Sequence, residues 1–500
     1  MSRREEKAKQ PTFADQARAA RAVPEDHILM RMKRAADWEA VDKELGRYYS
    51  DKAEGRPGWP PAVLVRMLVL EHYADLSDRE THEQVGYNLL YRTFVGLGVD
   101  EDVPDDTTLV RFRARIGEQG ARRVFDALNR QWEAAGLISR KRRVLDGAHF
   151  WAKVARRSWA QLMREGRALV VEAVEGLDGK RGASLRERFV AKAGGEELRG
   201  AEALKVEREL TLQLLAAVED EKDERVRDRA RILAAMLRED NDRPVSFDDP
   251  DARWGHKTKE KTFLGYKTHE SLDPDNRMIT GVDVVPGNTH EGVRTDQLLD
   301  KDPTPPESGA AIIADAFYNN ATTVGQVEAA KGRPCFSGPK GEVVSDAFEY
   351  DAGSDTVRCR EGKRSIGKTP MSQSTGDLYY FSVADCGACR RRSECLTVGE
   401  REGAAIARRR VYLSEVRKRR IAAGEAGRAW RREHLRVRYR IEAKFDEQMN
   451  KHGLRRARYW GLAKVTLQVL FNALTVNLKR AVKLLREQQL GPPVPAAAAA

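Results

Sequence analysis

The clearest strand pattern in the chain is Arg143-Val-Leu-Asp146-Gly-Ala-His149-Phe-Trp151. Its side chains alternate in the manner of a β-strand, so Val144, Asp146 and Ala148 lie on one face. A carboxylate in the middle of an apolar strand is costly to bury unless it is paired or binds a cation. The segment therefore predicts a strand that carries a candidate metal ligand, Asp146.

Strand patterns return after a long helical stretch, at 262–267 and 278–285. A wholly apolar run follows, Gly309-Ala-Ala-Ile-Ile-Ala-Asp315, and its composition is typical of a buried central strand. Because helical segments lie on both sides of these strands, the sequence predicts a mixed α+β fold. Asp315, at the end of the apolar run, is the second candidate ligand.

The third candidate is Glu442, in a helix predicted at about 431–453. Val437, Ile441 and Phe445 recur there every four residues, so they form a buried stripe beside Glu442. Three carboxylates supply the oxygen ligands with which two Mg²⁺ (or Mn²⁺) ions activate water against a phosphodiester.

Two alternatives to this ligand set stay open. Glu433 and Glu447 are rival third acids, although the buried neighbours of Glu442 favour it. With 77 acidic residues in the chain, three unrelated salt bridges also explain the acids.

The N-terminal part of the chain is predicted to be helical. Ser77-Asp-Arg-Glu80 has the form of a capping box, and Asp105 is placed to cap a helix in which Leu109, Phe112 and Ile116 share one face. Arg111 and Arg113 project elsewhere from that helix and are candidate DNA contacts, since small helical bundles often dock on DNA.

The charge of the chain favours a polyanionic partner. Lys and Arg number 89 against 77 Asp and Glu, which gives a net charge of +12. Five further basic residues are candidate DNA contacts: His256, Lys257, Lys267, Arg455 and Arg456. No apolar run reaches the roughly 20 residues of a membrane span, and no secretion signal is visible, so we expect a cytoplasmic, nucleoid-associated protein without a membrane partner.

Six motifs occur in a characteristic order. They are Pro104-Asp-Asp-Thr-Thr-Leu-Val-Arg-Phe-Arg, Asp146-Gly-Ala-His, Gly265-Tyr-Lys-Thr-His, Pro286-Gly-Asn, Ala314-Asp-Ala-Phe-Tyr and Arg438-Tyr-Arg-Ile-Glu442-Ala-Lys-Phe. Together they resemble the DDE transposases of bacterial insertion sequences, in the IS-four/IS-five superfamily. The long helical insert and the cysteine cluster look most like its IS-eleven-eighty-two branch.

The resemblance implies an RNase H-like (retroviral-integrase-like) core, with a mixed five-stranded sheet between helices. It implies Asp146, Asp315 and Glu442 as the metal-binding acids and Arg438 as a partner of Glu442 or of the phosphate. The family often has a Tyr three residues before that Arg and a Lys seven after the Glu, where this chain has Leu435 and Met449. Lys444 and Lys451 are candidates to replace that Lys.

The resemblance also implies a reaction and its partners. The chain would bind the terminal inverted repeats of its own element, cleave there in a metal-dependent reaction and transfer the ends to target DNA. Because both ends are joined together, we expect a homodimer or a larger synaptic complex. The alternative is a catalytically inactive DNA-binding protein or regulator derived from a transposase.

Four cysteines form a cluster: Cys359, Cys386, Cys389 and Cys395. Their number and the Cys-x2-Cys pair predict a structural Zn²⁺ site, with reduced thiols in a small core as the alternative. In the same region Gly362 to Thr369 satisfies the phosphate-loop pattern, but without the strand before it and the helix after it that such a loop needs, so we interpret it as a chance match and not as an ATPase site.

The predicted organisation has six parts. They are a disordered tail at 1–25, a helical N-terminal DNA-binding domain at 26–138, a catalytic core from 139–157, 246–345 and 430–486, a helical insert at 158–245, a cysteine-rich zinc segment at 346–400, and a disordered tail at 487–500.

Overall fold

The computed structural model describes residues 23–49, 58–191, 200–257, 260–290, 292–337, 348–371, 376–396 and 408–490. The strands within these ranges are β1 (Arg142–Trp151), β2 (Arg253–His256), β3 (Thr262–Asp273), β4 (Met278–Pro286), β5 (Ala311–Ala314), β6 (Arg333–Phe336), β7 (Phe348–Asp351), β8 (Thr356–Cys359), β9 (Gly367–Pro370), β10 (Gly376–Tyr380) and β11 (Arg410–Ser414).

The helices of the first half are α1 (Ile28–Arg34), α2 (Trp38–Gly46), α3 (Pro61–Ala74), α4 (Asp78–Tyr87), α5 (Leu89–Val95), α6 (Asp106–Ala134), α7 (Trp159–Glu175), α8 (Gly179–Arg186), α9 (Gly200–Ala217) and α10 (Glu224–Met236). Those of the second half are α11 (Thr295–Asp300), α12 (Ala321–Ala329), α13 (Val383–Gly387), α14 (Arg392–Cys395), α15 (Glu415–Ala422), α16 (Gly424–Leu435), α17 (Tyr439–Lys451) and α18 (Leu462–Leu490). In the described part of the chain, no helix has both the length and the apolar character that a bilayer crossing requires.

A mixed sheet positions the candidate acids. Its strand order is β2-β3-β1-β5-β6, and β4 pairs with the same edge of β3 as β2 does. β1 runs antiparallel to β3 and parallel to β5, which lies in the interior of the sheet between β1 and β6. The predicted mixed α+β class and the strands at Asp146 and before Asp315 are confirmed.

The long helix α18 closes one face of the sheet. It packs on β4 and on the N-terminal helices α3 and α6, so the helical N-terminus and the sheet share one hydrophobic core. The amide of Asn477 bonds both backbone groups of Ile279, at 2.8 and 2.7 Å, and Arg122 donates to the carbonyl of Val282. These side chains form hydrogen bonds with backbone groups on the outer edge of β4, where a free strand edge would otherwise be able to pair with another chain.

Local sequence signals at the N-terminus are confirmed. Ser77 and Glu80 form the capping box of α4, and Asp105 caps α6 through the backbone N–H of Thr108. The side chains predicted to face inward from α6 are buried.

Two segments outside the main sheet have apolar clusters of their own. Helices α7 to α10 enclose an apolar cluster in which Arg167, fully buried, pairs with Glu207. In the cysteine-rich segment, Val357, Tyr379 and Leu413 belong to a second small cluster. The predicted tails lie mostly outside the described residues, although 487–490 belong to α18.

The helix expected at 431–453 is two helices. α16 ends at Leu435 and α17 begins at Tyr439, and the turn between them is held by bonds from the N–H of Val437 and of Arg438 to carbonyls three residues earlier. A tight turn of this kind needs no Gly or Pro, so a pattern of apolar residues does not reveal it.

Candidate active site

Asp146 and Asp315 lie at the same level of neighbouring parallel strands. The register pairs Val144 of β1 with Ile313 of β5, and each acid follows its strand partner by two residues. Because side chains alternate along a strand, both acids are on the face that Val144 and Ile313 present to the main core. The carboxylate of Asp315 accepts the N–H of Phe317 at 2.8 Å and so caps a short 3₁₀ turn, Ala316–Tyr318.

Arg438 connects the helix that carries Glu442 to the strand that carries Asp146. Its Nη2 lies 2.7 Å from Glu442 Oε1, and its Nη1 lies 3.6 Å from Asp146 Oδ2. The side chain of Asp146 is 13% exposed, whereas that of Glu442 is 53% exposed. The structure thus brings these two acids to one guanidinium, with Glu442 at the surface and not in the core.

The rival acid Glu447 is occupied by ion pairs. Its Oε1 lies 2.6 Å from Lys479 Nζ and its Oε2 lies 3.0 Å from Lys444 Nζ. Burial would raise the pKa of Glu447, but the two ammonium groups lower it to about 2. Of the two lysines considered as replacements, Lys444 is thus paired with Glu447, whereas Lys451 is exposed at the end of α17. The other rival, Glu433, is exposed on α16, before the turn.

Sequence reasoning missed one acid next to Asp146. Glu270 lies directly opposite Asp146 in the register of β1 and β3 and is fully buried. Gln448 of α17 donates to its Oε1 at 3.0 Å, and its Oε2 has no hydrogen-bond partner among the described residues. Burial raises the pKa of Glu270 to about 7. The alternation of β3, which places Glu270 on the face of Leu272, was the available signal.

Three glycines allow the strands near the site to approach closely. A Cβ at Gly265 would lie 2.1 Å from the carbonyl oxygen of Phe150, one at Gly255 would lie 2.3 Å from that of Gly287, and one at Gly287 would lie 2.6 Å from that of Arg253. The glycines of the Gly265-Tyr-Lys and Pro286-Gly-Asn motifs are therefore explained by packing of the sheet.

The candidate DNA contacts of α6 differ in their surroundings. Arg111 is exposed. Arg113 is only 10% exposed, because its guanidinium pairs with Asp78 and lies 3.4 Å from Glu71. Arg113 thus joins α6 to α3 and α4.

The remaining candidates lie at the end of β2, in the middle of β3 and beside the end of β1. His256 and Lys257 are exposed, whereas Lys267 is nearly buried and donates to the carbonyl of Thr289 at 2.9 Å. Arg455 and Arg456 are exposed beside the end of β1, where the backbone of Trp151 donates to the carbonyl of Arg455.

The four clustered cysteines are partly buried. The fifth cysteine, Cys335, lies outside the cluster and is fully buried. Burial raises the pKa of the Cys395 thiol, and Cys386, Cys389 and Cys359 are close enough to add to the effect. The sulfur of Cys386 accepts the backbone N–H of Arg409 at 3.5 Å. Across the described ranges, no three His, Cys, Asp or Glu side chains converge into a ready-made metal site.

The phosphate-loop pattern falls on a strand. Residues 367–370 form β9, and Lys368 is held by Asp355 at 2.6 Å and Asp377 at 2.8 Å. This geometry agrees with the interpretation as a chance match, because Lys368 and Thr369 lie within a strand and not at the start of a helix.

Two family models match the chain. "Transposase domain (DUF772)" matches residues 17–115, and "Transposase DDE domain" matches residues 358–482, which include Arg438 and Glu442. A solved structure of the piggyBac transposase synaptic complex with hairpin DNA matches with 8% identity and a TM-score of 0.30, over 93% of this chain and 80% of that one. A likeness at that score supports no conclusion about this chain.

Proposed function

We propose that this chain, which its two family matches show to be a DDE transposase, cuts and joins DNA with Asp146, Asp315 and Glu442 as its catalytic acids. The single observation that carries this assignment is the meeting of β1 and α17 at Arg438, whose guanidinium contacts both Asp146 and Glu442. The strand order and directions of the sheet favour an RNase H-like core. The IS-eleven-eighty-two-like branch stays a prediction.

The donor set suits a divalent cation. Three carboxylates offer oxygen ligands, which Mg²⁺ and Mn²⁺ prefer. Enzymes with a DDE domain generally use such an ion, which when bound lowers the pKa of water and balances charge on the reacting phosphate. We propose Asp146, Asp315 and Glu442 as its ligands.

The chain's own residues have distinct tasks in this proposal. The sheet fixes Asp146 and Asp315, whose strands are hydrogen-bonded to each other. Arg438 orients the exposed side chain of Glu442, which would otherwise be mobile. It also offers further N–H donors to a phosphate oxygen. The hydrogen bond from Gln448 to the buried Glu270 joins α17 to β3 beside the site.

We propose DNA as the partner, in the form of terminal inverted repeats and target DNA bound by a dimer or larger synaptic complex. The exposed basic residues Arg111, His256, Lys257, Arg455 and Arg456 are the candidate contacts. Arg113 and Lys267, which are held by Asp78 and by the carbonyl of Thr289, would position the elements that carry them. The net charge of +12 supports this.

The same proposal includes a structural Zn²⁺ held by Cys359, Cys386, Cys389 and Cys395. The proximity of Cys359, Cys386 and Cys389 to Cys395 and the N–H···S bond to Cys386 support it. Thiolates need such donors and one another's proximity to bind Zn²⁺. The thiols would have to close further around the ion than they do here.

The experiment compares Asp146→Asn with the parent chain on a supercoiled plasmid that carries the element ends, in Mg²⁺. We expect the variant to lose cleavage and to keep binding of the ends within about twofold, because Asn retains the shape but not the charge. Asp228→Asn, an exposed acid of the helical insert, is the control that should cut normally. Equal loss of binding and cleavage in Asp146→Asn would contradict the catalytic role, and a parent chain that binds but never cuts would favour the inactive alternative.

A further inference from the structure

A groove of about 270 Å³ lies between α17, α18 and the turn that joins β3 to β4. Its lining contains six cations and one acid. The cations are Arg277, Arg440, Lys444, Lys479, Arg480 and Lys483, and the acid is Glu447. We call this feature the cationic groove.

The positive charge of the cationic groove is not balanced by its own acid. Among the cations of the groove, Glu447 pairs with Lys444 and Lys479. Arg480 and Arg440 are instead held by backbone carbonyls, those of Asn276 at 2.6 Å and of Pro274 at 2.5 Å. These bonds fix the guanidiniums in place but leave their charge in excess.

Two further observations indicate that an anion belongs in the groove. The Nε of Arg440 is buried and has no hydrogen-bond partner among the described residues, so one donor there is unsatisfied. Burial lowers the pKa of Arg480; Glu487 and Asp273 raise it, but repulsion by Arg277 and Arg440 lowers it further, so the net direction is downward. A cluster of like charges with an unused donor is stabilised by a bound polyanion.

The groove begins beside the candidate active site. Tyr439, which lines it, follows Arg438 directly and lies three residues before Glu442, so the two side chains are neighbours on α17. The ring of Tyr439 is 57% exposed, although large apolar side chains are usually covered. From Tyr439 to Glu447 the helix rises about 12 Å, the rise of three to four nucleotides along a duplex strand.

We propose that the cationic groove binds the phosphodiester backbone of duplex DNA next to the phosphate that is cut. The proposal rests on the proposed function, because it takes DNA as the substrate. Arginine forks and lysine ammonium groups contact phosphate oxygens, while the exposed ring of Tyr439 packs on a sugar. The groove reads no base, so its contribution is to affinity and to placement of the strand.

The test uses the full chain without divalent ions, so that no cleavage occurs. Arg277→Ala/Lys483→Ala removes the two exposed cations of the groove, neither of which has a role in the acid cluster. We expect the dependence of log K on log salt to become shallower by about 0.9 for each lost phosphate contact, and the affinity for a duplex that carries the element end to fall roughly tenfold. The loss should be the same for an unrelated duplex, because the contacts are to the backbone.

Matched variants make the result decisive. Arg231→Ala/Arg238→Ala removes two exposed arginines of the helical insert region and should leave the salt dependence unchanged. Arg277→Lys/Lys483→Arg keeps the charge and should restore binding, which separates charge from folding. An unchanged slope in the alanine variant would overturn the groove and leave the proposed function intact. Loss of binding to anionic lipid vesicles, with DNA binding unchanged, would also overturn it, and a parent chain that binds no DNA would instead contradict the proposed function.

Discussion

Nη1 of Arg438 lies 3.6 Å from Oδ2 of Asp146, so the helix that carries Glu442 is docked by charge on the strand that carries the first acid. The same guanidinium is 2.7 Å from Glu442. Because Arg presents several donors in a rigid plane, one side chain fixes the direction of two carboxylates.

Replacement of Arg438 by Ala should reduce metal-dependent cleavage far more than stability. Loss of a donor to a reacting phosphate, together with a freed Glu442, is expected to lower the cleavage rate about 10²-fold or more. The free energy of unfolding should change by less than about 1 kcal/mol, since partly exposed ion pairs contribute little. Arg438→Lys keeps the charge without the fork and should give an intermediate rate. Single-turnover cleavage and urea unfolding measure the two effects, and a large loss of stability would show that Arg438 is structural only.

Glu442 and Glu447 should respond oppositely to neutralisation. Glu442→Gln is expected to abolish cleavage and leave stability nearly unchanged, because Glu442 is 53% exposed. Glu447→Gln leaves Lys444 and Lys479 without their shared carboxylate and is expected to destabilise the fold by about 1–3 kcal/mol. Thermal unfolding and strand cleavage of both variants check this. A stable but inactive Glu447→Gln would assign the third acid to Glu447 instead.

The sequence predicted the parts of the site that depend on local period. Alternation marked the strand at Asp146, and the apolar run marked the one before Asp315. The register that sets Val144 against Ile313 brings the two acids level, and it depends on contacts between distant segments that no local pattern reports.

Two features could not be predicted from the sequence because they depend on tertiary packing. The break before Tyr439 is a tight turn whose residues suit a continuous helix equally well. Gly265 belongs to one of the motifs that carry the family resemblance, and the carbonyl oxygen of Phe150 would lie 2.1 Å from any Cβ there. Only the folded sheet shows that its missing side chain makes room for a neighbouring strand.

The buried Glu270 should make stability depend on pH. Its pKa is raised from 4.5 to about 7 by burial, so below pH 4.5 both the folded and the unfolded chain hold the proton. Between pH 4.5 and 7 the unfolded chain loses the proton first, and stability therefore falls as pH rises. Glu270→Gln does not ionise, so its stability relative to the parent should rise from pH 5 to pH 8 by up to about 3 kcal/mol.

Urea unfolding of the parent and of Glu270→Gln at pH 5 and pH 8 measures this difference. Other titrating groups, such as the buried Glu71, affect both proteins equally and cancel. A constant difference between the two proteins at both pH values would show that Glu270 is ionised throughout.

The cysteine cluster is expected to hold one Zn²⁺ per chain, and its ligands are testable against a cysteine of the same protein. Cys386→Ser/Cys389→Ser removes half of the proposed ligand set and should abolish the bound zinc, measured by elemental analysis of the purified protein. It should also make the cysteine-rich segment sensitive to proteolysis, because the apolar cluster around Val357 and Tyr379 is small and a metal would supply much of its stability. Cys335→Ser is the control, since this buried thiol lies on β6 in the main sheet and should leave the zinc content at one. Zinc in the parent well below one per chain, with the segment resistant to protease, would mean that the four thiols are reduced residues of a small core and bind no metal.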